Sequence, residues 1–464
     1  MDINYIRNNV KQAKINQMSR YLDDSVIDEI LELDNKWVSL EQENNKLRRE
    51  KNRLSKCFVT APKEQSGINI DDYSIIEDLK NEEVNINILS KMELKVITGY
   101  LKSKIKDNER ERKKYLEERD NLINGLGNFL YKDVPVNKDE KHNQVIITKN
   151  SGFKYNPITN YTNPIDNPTE SATKVTTSPV IFKKQSHVEL LEKLGMVDTN
   201  SGIKVSGNRG YFLTGFGVRF NMALMLYALD FLDKREYKLI STPHFVQGDK
   251  MSKITQLSDF NETLYKLDGS DNYMIATSEQ PMTAYWSNKQ VKELPVKFGA
   301  ISTCYRKETG RHGHNTRGIY RVHQFEKVEQ FCVTDSENSW EMFNDMIQTS
   351  KDFYESLGIS YRIVNIVSGA LNNSASMKND LEGWFPGSGE YCELVSCTNC
   401  LDYFSKRINT KNKKSEYVHM LNCTLCANTR TICCLSETYQ TEKGMIIPKV
   451  LRPYLGGKEF IEFI

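Results

Sequence analysis

The chain has 464 residues, of which 39% are hydrophobic and 27% charged, and its formal net charge is +2. This length favours two or three domains, and the composition is typical of a soluble globular protein with one strongly charged part. Apolar runs are too short to cross a bilayer and the first residues contain no apolar signal core, so we expect a cytoplasmic protein with no membrane partner. The near-neutral charge excludes nucleic-acid binding through the field of the whole molecule and requires a local basic surface for it.

Two long helices are predicted in the first part of the chain. Over residues 26–55 two interleaved series recur every seven residues: Leu33, Leu40, Leu47 and Leu54, and Ile30, Trp37, Asn44 and Lys51. A second helix, residues 85–130, has a weaker apolar stripe. The heptad spacing predicts a coiled coil, and the intervening Pro62 and Gly67 favour an antiparallel helical hairpin.

Basic side chains recur on both predicted helices. They are Arg48, Arg49, Lys51, Arg53 and Lys56 on the first, and Lys102, Lys104, Lys106, Arg110, Arg112, Lys113 and Lys114 on the second. Such runs are usually solvated helix faces. The alternative is a surface that contacts nucleic-acid phosphates with salt-sensitive affinity and little base reading.

The middle of the chain alternates irregular and apolar segments. Residues 131–178 are rich in Asn, Pro and Thr and are predicted to be a linker and an irregular entry into the next domain. The segment 210–235 is predicted to begin with small strands and to continue as an apolar helix, followed by a strand with Pro243 near its end. That helix has two compatible interpretations, packing on a sheet and forming a subunit interface.

Residues 298–331 are predicted to form two strands joined by a polar, basic loop. Because side chains alternate along a strand, Arg306 and Glu308 are expected to share one face of the first strand, and Phe325 and Glu329 one face of the second. At about 3.3 Å per residue, Phe325 and Glu329 lie about 13 Å apart, with Phe325 nearer the loop. This span suits a purine on Phe325, an α-phosphate at Arg306 and an ammonium group at Glu329. The alternative is a surface hairpin with solvated charges.

The segment RGIYRVHQFEKVEQF, preceded by Arg-Lys-Glu and a basic loop, closely resembles motif two of class II aminoacyl-tRNA synthetases, and of the seryl-tRNA synthetases in particular. The resemblance covers nearly the whole chain, since the helix around 210–235 with Pro243 resembles motif one and HMLNCTLCANTRTICCLSE resembles motif three. It implies an α+β fold, a class II antiparallel sheet flanked by helices with an N-terminal antiparallel coiled-coil arm. The implied domains are a tRNA-binding arm (1–130), a linker (131–178) and a catalytic domain (179–464).

The resemblance also implies an activity. The chain would activate L-serine with ATP and Mg²⁺ to seryl-adenylate, and would transfer serine to the 3′ end of tRNA(Ser). Motif one implies a homodimer, and charging of the selenocysteine tRNA stays open. The motif two loop carries His314 and Asn315 where the family commonly has an Arg-Asp pair, which puts the transfer step in doubt.

Site residues follow from matching this sequence to the family motifs. Catalytic roles fall on Arg306 and Arg430. Serine binding falls on Thr277, Ser278, Glu279, Arg306, Glu329, Asn422 and Thr424. ATP binding falls on Arg306, Lys307, Glu308, Val322, His323, Gln324, Phe325, Glu393, Leu394, Val395, Ser396 and Arg430. The Mg²⁺ that accompanies ATP falls to Glu393 and Ser396, whose oxygens suit a hard cation.

Two CxxC pairs offer a competing interpretation. Cys397 with Cys400 and Cys423 with Cys426 are separated by 22 residues, close to zinc-ribbon spacing. Both pairs lie in predicted strands, where the two members of a pair point to opposite faces, so we expect buried, reduced thiols and no structural zinc. Two rivals remain: a zinc-ribbon adaptor with a coiled coil, and a synthetase-derived paralogue that binds nucleic acid or another partner without activating an amino acid.

Overall fold

A computed structural model describes residues 1–66, 70, 75–80, 85–151, 184–256, 260, 262–309 and 318–464. The motif two loop with His314 and Asn315, and residues 152–178 of the predicted linker, lie outside the described residues. Within the described ranges, no helix combines the length and the apolarity that crossing a membrane requires. The chain forms two compact units, Met1–Met18 with Leu22–Leu126 and Ser19–Tyr21 with Gly127–Ile464.

The α-helices of the described residues are α1 Ile3–Asn8, α2 Val10–Ser19, α3 Val26–Cys57, α4 Ile75–Lys80, α5 Lys91–Gly125, α6 His187–Lys193, α7 Thr199–Ser206, α8 Phe216–Asp233, α9 Gly248–Ile254, α10 Glu279–Tyr285, α11 Ser339–Ser356, α12 Tyr403–Ile408 and α13 Asn428–Thr438. The strands are β1 Gln144–Lys149, β2 Val197–Asp198, β3 Phe212–Leu213, β4 Lys238–Ser241, β5 Phe245–Gln247, β6 Asn272–Met274, β7 Gln290–Val291, β8 Val296–Tyr305, β9 Gln324–Thr334, β10 Tyr361–Asn365, β11 Met377–Phe385, β12 Glu390–Asn399, β13 Lys411–Asn412, β14 His419–Ala427, β15 Gly444–Ile446 and β16 Phe460–Glu462.

The first unit is a helical hairpin built on α3 and α5. Cross-helix ion pairs show that the helices are antiparallel, because positions that rise along α3 meet positions that fall along α5: Asp34 with Arg119, Glu41 with Arg112, and Arg48 with Glu109. Leu47 and Leu54 are fully buried in the seam between the helices, as the heptad pattern predicts. The coiled-coil prediction is therefore confirmed for this unit.

The predicted bounds of the second helix are wrong at both ends. Helix α5 begins after Ser90, whose hydroxyl accepts from the Glu93 amide at 3.3 Å while the Glu93 carboxylate accepts from the Ser90 amide at 2.7 Å. This capping box satisfies amides that have no partner within the helix, so it fixes the start. The helix ends at Gly125 because Leu126 is extended.

The second unit is organised around an eight-stranded sheet with strand order β1-β10-β11-β12-β14-β9-β8-β4. All neighbouring pairs are antiparallel except β4 with β8. Helices α8, α11 and α13 pack on this sheet and bury one large apolar core with it. Strand β1 comes from the segment predicted to be a linker, and it pairs with β10 as one edge of the sheet. The α+β fold expected from the sequence, a largely antiparallel sheet flanked by helices, is confirmed.

The predicted hairpin is present, but its strands are shorter than expected. Strands β8 and β9 pair antiparallel, with Cys304 opposite Phe325 and Ala300 opposite Glu329. Arg306 and Glu308 lie beyond the end of β8, and Glu308 has a left-handed backbone with φ of 52°. The alternation argument is therefore wrong for these two residues, because a left-handed residue cannot continue a pleated strand. It holds for Phe325 and Glu329, which share a face of β9.

Candidate active site

A cavity of about 300 Å³ opens over the centre of the sheet. Strands β9, β11, β12 and β14 supply much of its wall. The first turn of α13 and the segments after β8 and before β9, β11 and α10 supply the rest. The lining residues are Thr277, Glu279, Arg306, Glu308, Tyr320, Arg321, Val322, Phe325, Lys327, Glu329, Asn372, Lys378, Glu393, Leu394, Ser396, Thr398, Asn422, Thr424, Ala427, Thr429 and Arg430. Residues far apart in the chain thus meet in one pocket that is rich in charge of both signs.

At one end of the pocket Glu329 is fully buried among hydrogen-bond donors. Its Oε2 accepts from the Thr277 hydroxyl at 2.7 Å and from the amide and hydroxyl of Ser278 at 2.8 and 2.5 Å. Its Oε1 accepts from Asn422 Nδ2 at 3.0 Å and lies 2.7 Å from Lys327 Nζ. Burial alone would raise the pKa of Glu329, but the charge of Lys327 and these hydrogen bonds lower it to about 2. Glu329 is therefore a fixed negative charge.

Glu279, the first residue of α10, lines the same end of the pocket. Its Oε1 lies 3.8 Å from Cys400 Sγ. Burial raises the pKa of Glu279 to about 7, and the charge of Glu329 adds to the effect. The two neighbouring carboxylates consequently have pKa values on opposite sides of the usual range for Glu.

The other end of the pocket carries an aromatic ring and two arginines. The Arg306 guanidinium lies 5.3 Å from the centre of the Phe325 ring, and its Nε donates to the carbonyl of Ala276 at 3.1 Å. Glu308 lies 3.5 Å from Arg321 and 4.0 Å from Arg209. An aromatic face, a carboxylate and fixed guanidinium groups are the elements that bind a purine and a phosphate.

Arg430 lies in the first turn of α13 and pairs with Glu393 of β12. Its Nη1 is 3.2 Å from Glu393 Oε2 and donates to the Glu393 carbonyl at 3.3 Å, while the guanidinium lies 4.9 Å from the Tyr320 ring centre. Tyr320 also donates its hydroxyl to that carbonyl at 2.8 Å. Although burial acts in the opposite direction, Arg430, Lys378, Arg306 and Arg321 lower the pKa of Glu393 to about 2. Glu393 is thus an ionised carboxylate among these four cationic side chains, and it holds the Arg430 guanidinium in place.

Asp380 lies in β11 directly opposite Ser396 of β12. It is 6% exposed, lies 3.8 Å from Lys378 Nζ, and its Oδ1 has no hydrogen-bond partner among the described residues. Burial raises the pKa of Asp380 to about 7, with a further contribution from the charge of Glu393. Glu393 and Ser396 thus bring oxygen donors to the pocket lining, and the Asp380 carboxyl lies in the sheet directly opposite Ser396.

The structure brings most of the predicted site residues to the pocket and leaves five off its lining: Ser278, Lys307, His323, Gln324 and Val395. Ser278 is fully buried and supports Glu329. His323 Nδ1 donates to the Arg306 carbonyl at 2.9 Å, and the Arg306 amide donates to the His323 carbonyl at 2.9 Å, so His323 acts on the pocket through Arg306.

Sequence reasoning missed eight lining residues. They are Tyr320, Arg321, Lys327, Asn372, Lys378, Thr398, Ala427 and Thr429. Lys327 was detectable, because strand alternation places it on the same face as Phe325 and Glu329. Lys378 and Thr398 are opposite each other on β11 and β12, and no local pattern in the sequence predicts that pairing.

The four thiols of the CxxC pairs lie in or at the end of strands. Cys397 of β12 is directly opposite Cys423 of β14, and all four sulfurs belong to buried residues. Across the described part of the chain, no group of three or more His, Cys, Asp or Glu side chains is arranged to hold a metal ion.

Comparison with known proteins decides the family. Residues 1–89 match the family described as the seryl-tRNA synthetase N-terminal domain, and residues 264–439 match the tRNA synthetase class II core domain (G, H, P, S and T). The chain is 41% identical to the cytoplasmic serine–tRNA ligase of Schizosaccharomyces pombe over 100% of this chain and 96% of that protein. The chain belongs to the seryl-tRNA synthetase family.

Solved structures of seryl-tRNA synthetases agree with this assignment. The cytoplasmic serine–tRNA ligase of Naegleria fowleri in complex with AMP has a TM-score of 0.81 at 40% identity, covering 100% of this chain and 98% of that one. The seryl-tRNA synthetase of Pyrococcus horikoshii complexed with ATP has a TM-score of 0.83 at 31% identity, with both chains covered completely. The resemblance inferred from the sequence motifs is confirmed.

Proposed function

We propose that this chain joins L-serine to ATP, giving seryl-adenylate and pyrophosphate, and then transfers serine to the 3′ end of tRNA(Ser) in the cytoplasm. One observation carries the proposal: a single pocket has a purine- and phosphate-type end at Phe325, Arg306 and Arg430, and a small, hydrogen-bonding end at Glu329 and Thr424. Family relatives named as cytoplasmic serine–tRNA ligases, and neighbours solved with AMP and ATP, support it.

ATP occupies the end of the pocket beyond the β8–β9 pairing. The purine stacks on Phe325, with Glu308 and the backbone of 322–325 at its edge and Lys307 beside it. Arg306 holds the α-phosphate, and Arg430, near the amino end of the eleven-residue helix α13, holds the far phosphates, where the helix dipole also favours an anion. The pairing of Arg430 with Glu393 explains how that guanidinium is kept in place before ATP arrives.

Serine occupies the end around Glu329. Its ammonium group lies between Glu279, Glu329 and Thr277, and its hydroxyl meets Asn422 and Thr424. These polar groups would lose a partner if alanine bound instead, so the pocket rejects alanine by a factor of about 10⁴. Ser278 lies off the pocket lining and keeps Glu329 in position through the hydrogen bonds of its amide and hydroxyl.

The first step needs no general base. The serine carboxylate attacks the α-phosphorus, a new oxygen–phosphorus bond forms, and the bond to the pyrophosphate oxygen breaks with pyrophosphate leaving. Arg306 aligns the carboxylate with the α-phosphate, and Arg430 stabilises the charge on the departing group. Alignment and fixed positive charge supply the rate, because both are in place before the reaction starts.

Glu393 and Ser396, together with Asp380, fit Mg²⁺. The fit rests on hard oxygen donors and on the buried Asp380 Oδ1 that has no hydrogen-bond partner among the described residues. Mg²⁺ bound with ATP would supply charge neutralisation on the phosphates.

Residues 1–130 serve as the tRNA-binding arm in this proposal. Lysine and arginine side chains on α3 and α5 contact phosphates of tRNA(Ser), so that shape rather than base sequence is recognised. The cross-helix ion pairs of Arg48 and Arg112 hold two of these cations on the hairpin itself, so other basic residues supply most of the contact.

A homodimer completes the proposal. Helix α8 buries Phe220 and Leu224 in the core, yet Val218, Met222 and Leu226, four residues apart, are 43%, 59% and 49% exposed. Side chains at this spacing form one face of a helix, and an exposed apolar face is a typical subunit interface. The motif one resemblance of the same helix points to a second copy of this chain as the partner.

The test measures the exchange of pyrophosphate into ATP in the presence of each of the twenty amino acids in turn. Charging of total tRNA is measured next. We expect exchange with serine alone. Arg306→Ala should abolish exchange while leaving the circular dichroism spectrum and melting temperature nearly unchanged. A purified, folded protein without serine-dependent exchange would refute the proposal and favour a non-catalytic paralogue.

A further inference from the structure

Arg20 is a buried arginine in the second unit, 3% exposed, and the acceptors of its guanidinium are backbone carbonyls. Its Nη1 donates to Ala375 at 3.0 Å and to Asn128 at 3.4 Å, and its Nη2 donates to Asn372 at 2.6 Å. Burying a cation is costly unless it is well hydrogen-bonded, so the position of this side chain is tightly defined. The planar fork of a guanidinium holds its donors at fixed directions and separations, whereas an ammonium group is a compact charge on a flexible stem.

Two of these contacts, those to Asn372 and Ala375, converge on one loop, residues 371–376, which precedes β11. Besides Arg20, the Asn128 side chain donates to the Ser374 carbonyl at 2.8 Å, and the Asn128 amide donates to the Asn373 carbonyl at 2.7 Å. The loop outside β11 therefore takes much of its support from Arg20 and Asn128 rather than from strand pairing.

The approach of Arg20 to this region is close. A Cβ atom at Gly127 would lie 2.2 Å from Arg20 Nε, far inside contact distance. Glycine is thus required beside Asn128 for the guanidinium to reach its carbonyls. The arrangement fixes Arg20, Gly127 and the loop 371–376 as one packed unit.

One residue of the loop, Asn372, lines the pocket, and the contacts that support the loop extend to Glu279 at the amino-acid end. Asn372 is exposed to the cavity and donates to the Ser374 hydroxyl at 3.0 Å. Asn128 also donates to the Cys400 carbonyl at 2.8 Å, and the Cys400 thiol contacts Glu279. A displacement of the loop would therefore move Asn372 and loosen the surroundings of Glu279.

We propose that Arg20 is a positioning residue for the amino-acid end of the pocket, where it holds the loop 371–376 so that Asn372 closes the space around a small hydroxylated side chain. The inference rests on the proposed function, since it deepens the account of how serine is selected. Loss of the Arg20 guanidinium enlarges this end of the pocket, which weakens serine binding. The larger pocket also admits threonine, whose extra methyl group is otherwise excluded by steric contact. One methyl group is worth about 10–200-fold in such discrimination.

The experiment compares Arg20→Met, Arg20→Lys and a control, Arg452→Met, in pyrophosphate exchange with serine and threonine on the full chain. Arg452 also donates to a backbone carbonyl, that of Ile447, at 3.1 Å, but it does not line the pocket. For Arg20→Met we expect the KM for serine to rise about tenfold, the preference for serine over threonine to fall about tenfold, and the KM for ATP to stay within twofold. Arg20→Lys should shift the same quantities less, and Arg452→Met should leave them unchanged.

A purely structural role for Arg20 would lower the fraction of active protein and leave both KM values and the serine preference unaltered, and that result overturns the inference. If Arg20→Met does not fold, Arg20→Lys decides: deuterium uptake in a peptide covering 371–376 should rise together with the KM for serine. Unchanged uptake and unchanged KM refute the inference. Wild-type protein without serine-dependent exchange would instead refute the proposed function, so the two failures are distinguishable.

Discussion

At the amino-acid end of the pocket, two adjacent carboxylates are driven in opposite directions by their surroundings. Lys327 and four hydrogen bonds keep Glu329 ionised, whereas burial and the charge of Glu329 raise the pKa of Glu279 to about 7. When the pKa values of two carboxyl groups are shifted apart in this way, one group stays ionised and the other can change its protonation state when a ligand binds. We assign the constant charge to orientation and Glu279 to the response.

This division predicts a pH dependence for serine binding. Below a pH of about 7 Glu279 is protonated and neutral, and above it the carboxylate attracts the serine ammonium group, so the KM for serine should fall as pH rises from 6 to 8. One linked proton gives a change of about tenfold per pH unit below the pKa. Exchange kinetics over this range measure it.

Glu279→Gln provides the matched control for that pH profile. Its serine KM should be higher than that of wild type at pH 8 and independent of pH between 6 and 8. A slope that persists in Glu279→Gln would assign the titration to another group and contradict the role given to Glu279.

At the scale of single elements, Asp34 of α3 is the ion-pair centre of the helical hairpin. It is 2% exposed and accepts from Arg7 at 2.7 and 2.8 Å and from Arg119 at 2.8 Å. Burial opposes ionisation, but the hydrogen bonds from Arg7 and Arg119 lower the pKa of Asp34. Its stabilising contribution is therefore present above the unfolded pKa of about 3.9 and is lost as pH falls through the lower folded value.

Asp34→Asn should destabilise the hairpin by about 3 kcal/mol at neutral pH, because among the described residues Asp120 is then the one remaining ion-pair partner of the buried Arg119. Hydrogen exchange of peptides from α3 and α5 in the full chain measures the loss. Glu32→Gln, which removes the exposed pair with Lys36, should change exchange little. Equal effects of the two substitutions would show that Asp34 does not anchor the hairpin.

Helix α8 gives the second prediction at this scale. Met222→Glu places a charge in the centre of the exposed apolar face and should convert a dimer into a 53.6 kDa monomer in sedimentation equilibrium. Lys234→Glu, at the exposed end of the same helix, should leave the dimer intact. A wild-type protein that sediments as a monomer at micromolar concentration would contradict the proposed interface.

At the scale of the whole molecule, the sequence predicted what short-range patterns control. The heptads predicted α3, and strand alternation predicted the shared face of Phe325 and Glu329. Strand alternation failed for Arg306 and Glu308, which lie beyond the end of β8, where Glu308 has a left-handed backbone. The backbone dihedral angles of a single residue leave no periodic pattern in the sequence. The motif resemblance assigned the same two residues to the site independently of strand alternation.

The remaining site residues depend on long-range pairing. Lys378 and Thr398 reach the pocket because β11 and β12 are neighbours in the sheet, a fact of topology that no local window contains. Asn372 reaches it through the support of Arg20, from the far end of the chain. Such residues become visible only when the fold is known.

The central claim is that ATP and serine share one pocket in a fixed direction. A crystal structure with a non-hydrolysable seryl-adenylate analogue tests it most directly. The account predicts the purine stacked on Phe325, the phosphate-like group at Arg306, and the serine hydroxyl at Thr424 with the ammonium group beside Glu329. A purine away from Phe325, or a serine hydroxyl pointing away from Thr424, would contradict it.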